Sequence, residues 1–341
     1  MFFFHKKKFG IDLGTSNTLI YQAAKGIVVN QPSLAALNKK TNQIVAIGKE
    51  AKKMVDRVPH HISILRPLTD GVISDFEICL QFLKQLLDES LEDAFLLFKR
   101  FEIVVAVPCG ITEVERKTVE DVARSLGASR VFLVEEPLSG AIGARLPIAK
   151  ARGYLIIDIG GGTTEIGVIS YGGIVKFKTL KIAGDKFDQA IIDYIFSEHK
   201  LLIGKPTAQF LKETLGSVYG NYEGLEKEVL IKGRDATSGL PKGITISPKD
   251  IRKAIEMPIK KIIEASKELL EETPPELIAD IMENGVWLCG GGALLKGLDK
   301  LIEKELKLPT SIINEPLTAV VRGTGMVVEN LNNLEKVGIK K

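Results

Sequence analysis

Cysteine is scarce in this chain, charge of one sign hardly predominates, and no apolar run is long. Cys79, Cys109 and Cys289 are the three cysteines of 341 residues. They are distant and odd in number, which excludes a disulfide framework or a zinc-type spacing and fits a reducing compartment. The four histidines, His5, His60, His61 and His199, show no metal-ligand spacing either. Lysine and arginine (46) nearly balance aspartate and glutamate (43), leaving a net charge of +3. With no long basic stripe, that balance argues against a nucleic-acid partner. No apolar run reaches the roughly 18–20 residues that span a bilayer. The start does not read as a secretory signal, because its apolar part precedes its basic part and is too short. A GxxxxGK[ST] phosphate loop and a GxGxxG dinucleotide fingerprint are both missing, which weakens a dinucleotide-dependent oxidoreductase reading. No Ser-His-Asp or Cys-His arrangement stands out.

What is present reads as α/β. The length allows two domains with sizeable cores, and 45% hydrophobic with 26% charged residues is ordinary for a soluble protein. Strands alternate with amphipathic helices throughout. Phe101 to Val107 is a near-continuous apolar run ending at Pro108, as a buried strand would be. Thr112 and Glu115 form a capping box for the next helix, which Gly127 closes. Ser247-Pro248 starts another helix, in which Pro258 is expected to make a kink. Thr273-Pro274-Pro275-Glu276 reads as a further capping box, with Gly285 as the stop. Residues 216 to 243, richer in glycine and charge, look like a peripheral insertion.

One motif occurs twice. Phe9-Gly10-Ile11-Asp12-Leu13-Gly14-Thr15-Ser16-Asn17-Thr18 is matched far downstream by Tyr154-Leu155-Ile156-Ile157-Asp158-Ile159-Gly160-Gly161-Gly162-Thr163-Thr164. Each copy is an apolar strand, an Asp, a glycine turn with hydroxyl residues, and a second apolar strand. Such a turn lets backbone N–H groups approach an anion and cradle phosphate. The Asp beside it would repel phosphate unless a cation lay between, so each copy implies Mg²⁺. Two facing copies would clamp a nucleoside triphosphate from both sides. Two ordinary glycine-turned hairpins are the alternative, and a repeat makes that coincidence harder to accept.

Three further segments stay open on the residues alone. Gly290-Gly291-Gly292-Ala293-Leu294 would admit a flat ring or a phosphate against the backbone, or be a tight strand-to-helix turn. Glu135-Glu136-Pro137 puts two carboxylates at a strand end, where one could orient a water attacking a γ-phosphate, or both could be surface charge. Phe2, Phe3 and Phe4 precede Lys6, Lys7 and Lys8, and Phe95 to Phe98 precede Lys99 and Arg100. Aromatics beside basic residues suit an anionic membrane surface, and core packing or a frayed end is the alternative. An apolar side chain is worth roughly 1.5–3 kcal/mol when buried. One molecule would thus bind marginally, and an array firmly.

Taken in order, Gly10 to Thr15, Asp158 to Thr163 and Gly290 to Gly292 resemble the phosphate and adenosine segments of the actin/Hsp70/sugar-kinase superfamily. Within it the chain resembles the MreB bacterial actins over essentially its whole length. Asp70-Gly71-Val72-Ile73-Ser74-Asp75-Phe76, Val107-Pro108 with Gly110 to Arg116, Glu135-Glu136-Pro137, Thr273 to Leu277 and Leu294-Leu295-Lys296-Gly297-Leu298 carry that closer likeness. It implies an actin-like ATPase fold, with two related domains around a nucleotide cleft, each with a smaller subdomain. The first would comprise 1–146 and 315–341 (small subdomain about 33–70), the second 147–314 (small subdomain about 184–246).

By the same resemblance, Asp12 and Asp158 would hold Mg²⁺ through water. Gly14, Thr15, Ser16 and Asn17, with Gly160, Gly161, Gly162 and Thr163, would be the two phosphate hairpins. Glu136, directly before Pro137, would position the attacking water, with Thr163 beside it at the γ-phosphate. Gly184, Asp188, Gly290, Gly291, Gly292, Ala293 and Leu294 would line the nucleotide site. Gln209 and Lys212 stand where the family contacts the ribose with Glu and Lys, so Gln209 is a departure that keeps hydrogen bonding and lacks the charge. The implied function is a slow ATPase, turning ATP into ADP as it forms paired homopolymeric protofilaments. These would lie under the cytoplasmic membrane, bound through Phe2, Phe3, Phe4 and Leu97, Phe98. They would organise cell-wall synthesis and rod shape with elongation proteins such as RodZ and MreC. A plasmid-segregating or organelle-positioning actin is the nearest rival. An Hsp70-type chaperone would need a peptide-binding domain for which this chain leaves no room, and a sugar kinase a sugar-binding insertion.

Overall fold

The computed structural model describes residues 7–90, 101–219 and 228–331. Two five-stranded mixed sheets dominate it, and they share one topology. In the first, Lys8–Leu13 is central; Asn17–Gln22 and then Gly26–Pro32 follow antiparallel on one side, Phe101–Val107 and then Ala128–Glu135 parallel on the other. In the second, Tyr154–Ile159 is central; Thr164–Ser170 and Gly173–Leu180 follow antiparallel, Val286–Cys289 and Thr310–Ile312 parallel. All seven residues of Phe101–Val107 and all six of Tyr154–Ile159 are buried, as strands covered on both faces require.

Strand alternation then decides where the two Asp residues point. Phe9, Ile11 and Leu13 join one core with the Phe76–Ser90 helix, leaving Gly10 and Asp12 on the opposite face. Leu155, Ile157 and Ile159 join a second core with the Gly184–His199 and Pro248–Glu271 helices, leaving Tyr154, Ile156 and Asp158 on the opposite face. Those opposite faces look onto a shared middle layer, whose core includes Val104 and Phe132 from the first sheet and Tyr154 and Ile156 from the second. So both Asp residues sit on inner faces, directed into the space between the sheets.

Two helices fill that layer, Glu136–Gly143 and Ala319–Glu329. They cross at glycines. A Cβ on Gly143 would stand 1.9 Å from the Ala319 carbonyl oxygen, and one on Gly323 1.9 Å from that of Ser139. A Cβ on Gly10 of the first sheet would likewise fall 2.5 Å from Thr324 Oγ1 and 2.7 Å from Gly325 N. The crossing therefore admits no side chain, and close backbone approach ties the helices to each other and to the sheet.

Several helix ends follow the sequence. Thr112 Oγ1 accepts from the Glu115 N–H while the Glu115 carboxylate accepts from the Thr112 N–H, a reciprocal cap. Asp250 likewise accepts from the Ser247 N–H at 2.9 Å, and Gly285 ends its helix at φ 77°. The reading of Thr273 needs correction. Its hydroxyl donates back to the Leu269 carbonyl at 2.7 Å, so it closes the preceding helix, and Pro274 is the N-cap of the next. Pro258 lies inside a helix that continues from Pro248 to Glu271. The supposed insertion also supplies core: Val229–Asp235 pairs with Pro241–Ile246 and Leu201–Leu202 in a three-stranded sheet, burying Ile231 and Ile246.

Gly323→Val should destabilise the protein by about 3 kcal/mol, since neither backbone can yield without breaking the crossing. Gly173→Ala, where nothing lies within 4 Å of a Cβ, should stay within about 0.5 kcal/mol of the parent in urea unfolding.

Candidate functional site

The two repeated turns are closed by the same hydrogen bond. Gly14 N–H donates to Asn17 O at 3.1 Å, and Gly160 N–H donates to Thr163 O at 2.9 Å. In each copy the following Thr anchors the turn from behind: Thr18 Oγ1 bonds Ser33 Oγ at 2.8 Å, and Thr164 Oγ1 donates to Ile182 O at 2.6 Å. Ser33, fully buried, also donates to Gly14 O at 2.6 Å. The turns meet across the gap between the sheets. A Cβ on Gly161 would fall 2.0 Å from Ser16 Oγ, and one on Gly162 2.7 Å from Thr15 Oγ1. Glycine is needed there because the other turn occupies the space.

Beside the turns opens a cleft of about 540 Å³, within the range of small-molecule sites. Asp12, Gly14, Thr15, Ser16, Asn17 and Glu136 line it from the first sheet and its helix. Asp158, Gly160, Gly161, Thr163, Gly184, Gln209, Lys212, Gly290, Gly291, Gly292 and Leu294 line it from the second. Three anticipated residues stand behind the lining. Gly162 faces Thr15, Ala293 is fully buried, and Asp188 pairs with Lys212 at 2.8 Å. Lys212 also donates to Gly184 O at 3.0 Å. Gly290, at φ 77°, and Gly292 lie against the strand that carries Asp158: Cβ atoms there would come within 2.3 Å of Asp158 Oδ1 and 2.2 Å of Ile159 Cγ2. Of the two Glu candidates, Glu136 begins the helix and lines the cleft, whereas Glu135 ends the strand before it. Phe2, Phe3, Phe4, Leu97 and Phe98 lie outside the described residues.

Acidic groups crowd the floor. Burial, and then the neighbouring Asp158, push the Asp12 carboxyl up to about 8, and burial pushes Asp158 up to about 6. Glu136 is held well above the ordinary carboxylate value by burial and then by Glu165, Asp158 and Asp12. Glu165 was not anticipated. It stands opposite Asp158 in the strand register, 1% exposed, and burial raises it to about 7 against the hydrogen bonds it receives from Thr179 and Cys109. A lone charge inside Thr164-Glu165-Ile166-Gly167-Val168-Ile169 was the available signal. Carboxylates so placed repel one another unless protons or a cation intervene. The donor set is all oxygen, and this suits a hard divalent ion such as Mg²⁺.

Polar contacts close the far side of the cleft. Arg66 binds the Asp185 carboxylate with both terminal nitrogens, one at 3.1 Å. Lys181 approaches Asp70 at 3.6 Å with the charges reversed. Gly71 N–H donates to Thr15 Oγ1 at 3.1 Å, and Cys109 N–H donates to Glu165 Oε2 at 3.1 Å.

The raised Asp12 carboxyl has a consequence for stability. Its folded value of about 8 exceeds the ordinary 3.8, so the folded chain holds this proton more firmly than the unfolded chain. The associated stability is complete below about pH 4 and is lost as pH rises to about 8. In buffer free of metal and nucleotide, the melting temperature of Asp12→Asn should therefore rise above the parent's progressively between pH 5 and pH 8. A gap that stays flat over that interval contradicts the burial argument.

Comparisons with known proteins agree with this geometry. The family model described as MreB/Mbl protein matches residues 6–336. The cell shape-determining protein Mbl of Bacillus subtilis is 44% identical over 327 residues, 96% of this chain and 97% of that one. The cell shape-determining protein MreB of Escherichia coli is 41% identical, covering 94% and 93%. A crystal structure of MreB 5 of Spiroplasma citri bound to AMPPNP superposes with a TM-score of 0.93 at 40% identity, covering 98% of this chain and 99% of that one. Matched along nearly its whole length, the chain belongs to the MreB/Mbl family, actin-like cytoskeletal proteins of cell-shape determination.

Proposed function

We propose that this chain binds Mg²⁺-ATP between its two repeated turns and hydrolyses it slowly to ADP as it assembles into filaments. The observation that carries the reading is the pair of turns closed by one identical hydrogen bond and facing each other over buried carboxylates. That the Spiroplasma relative is seen with AMPPNP supports it.

In this reading the backbone N–H groups of Gly14 to Asn17 and of Gly160 to Thr163 take the phosphate oxygens from two sides. Asp12 and Asp158 would hold the ion. Mg²⁺, when bound, supplies the charge that both the carboxylates and the phosphates lack. Glu136 orients the attacking water, and Thr163 stands beside it, hydrogen-bonding where the γ-phosphate would lie. A raised Glu136 carboxyl suits a group that ionises only once a cation is nearby. We assign residues 1–146 and 315–341 to one lobe and 147–314 to the other, with the cleft between them.

Binding measured calorimetrically tests the first step. Asp12→Ala should lose the Mg²⁺-dependent part of ATP affinity, whereas Glu136→Ala should keep affinity within a few-fold and lower phosphate release by about 10²-fold or more. Release unchanged in Glu136→Ala but lost in Glu135→Ala would transfer the role to Glu135.

The filament is proposed to be a paired protofilament on the inner face of the cytoplasmic membrane, where it would engage cell-wall elongation proteins such as RodZ and MreC. Phe2, Phe3 and Phe4, with Leu97 and Phe98, would enter the lipid and the adjacent Lys and Arg residues would meet its headgroups. Deleting residues 2–8 should sharply reduce co-sedimentation with anionic vesicles and leave ATP binding intact. High salt should weaken it only in part, since screening removes the Lys contribution and not the Phe one. Co-sedimentation unaltered by the deletion, and by Leu97 and Phe98 both changed to Ser, would return these clusters to the core.

A further inference from the structure

We infer that Asp56 and Gly204 form a latch across the cleft, and that this contact sets how fast a bound nucleotide leaves. The inference rests on the nucleotide reading above and goes beyond it in naming a contact that holds the site closed. Two helices flank the cleft from opposite lobes. Gly48–Met54 stands on the first, anchored by the fully buried Ala51, and its Lys52 lines the cleft. Lys205–Leu215 stands on the second, anchored by the buried Ala208 and Leu211, and its Lys212 lines the opposite wall. The chain leaving the first helix meets the residue that starts the second. A Cβ on Gly204 would fall 2.8 Å from Asp56 Oδ2 and 3.8 Å from Asp56 Cγ.

The backbone at these two positions shows that the approach is built rather than incidental. Gly204 is the N-cap of its helix at φ −89° and ψ 168°, an extended conformation open to any residue. Its backbone does not demand glycine; the carboxylate standing where a Cβ would point does. An N-cap is ordinarily Ser, Thr, Asp or Asn, whose side chain accepts from the first free amides. Gly204 has none to offer, and the helix carries no side-chain cap of its own. Asp56 brings a carboxylate to that end from the other lobe. Asp56 itself sits at φ 59°, in the left-handed region that glycine adopts with less strain. The turn alone therefore does not account for an acid there, and the approach to Gly204 does. Both residues are exposed at the rim, so water can take the place of the contact and the latch can open and re-form. A nucleotide held between the two walls leaves when they part, and parting them breaks this contact.

Release of a fluorescent ATP analogue, chased with excess ATP in the presence of Mg²⁺, tests this on the full chain held below its assembly concentration. Asp56→Gly removes the carboxylate and relaxes the turn. Release should quicken about threefold, as loss of one exposed charged contact provides, while the melting temperature does not fall. Gly204→Ala sets a methyl against the carboxylate and should quicken release by at least as much. In the double variant that methyl meets no carboxylate, so Gly204→Ala should change the rate of Asp56→Gly by less than about twofold. A local effect on either helix would not produce that dependence. A rate unchanged in Asp56→Gly, or two effects that simply multiply in the double variant, overturns the latch and leaves the nucleotide site standing. A parent that binds no analogue overturns the nucleotide reading and this inference with it.

Discussion

Repulsion among buried carboxylates is the constraint on which the rest of this structure turns. Two separately built sheets each present an Asp on the inner face, and Glu136 and Glu165 join them at the same floor. A protein that needed only stability would not do this, because burying like charges is costly without a counter-ion. Everything around the floor then makes sense as provision for a ligand that brings positive and negative charge together. In the proposed reading the turns would offer backbone N–H groups to anions and the carboxylates would take a cation, and the hydrogen bonds that close each turn hold it in shape.

The duplication explains how so polar a site is held steady. Each copy is a rigid hairpin inside a sheet, and the two copies are joined by the crossing of Glu136–Gly143 with Ala319–Glu329. Glycine at that crossing brings backbone against backbone, so the helices cannot slide without collision. Glu136 opens one of these two helices, so the residue that faces the cleft is fixed by the element that joins the sheets. Change in the angle between the sheets therefore reaches Glu136 directly.

Much of this was legible in the sequence for physical reasons. The Asp-glycine turn announces itself because phosphate chemistry needs small residues next to a carboxylate, and the repeat made it hard to mistake. Apolar runs such as Phe101 to Val107 and caps such as Thr112 with Glu115 are local, and local signals survive folding. What escaped was non-local. Nothing near Ser33 in the chain shows that it would buckle Gly14, and Arg66 meets Asp185 only once both sheets stand side by side. Glu165 was visible as a charge in an apolar strand, yet its meaning depends on Cys109 and Thr179 arriving from elsewhere. Thr273 misled because a capping box and a helix C-terminal hydroxyl bond use the same residue type, and only the Leu269 carbonyl decides between them.

The contacts that cross the cleft differ in kind from those of the crossing helices, and the difference is mechanical. Arg66 with Asp185 and Lys181 with Asp70 are partly exposed ion pairs, and pairs of that sort contribute about 0–1 kcal/mol each because water replaces them readily. The middle layer is apolar and fully buried at Ala141, Ile156 and Ala319, where separation would expose side chains worth roughly 1.5–3 kcal/mol apiece for the larger ones. Thermal motion that must open the molecule will therefore break the polar side first and leave the crossing intact. The distribution of polar and apolar contacts alone is enough to set that order.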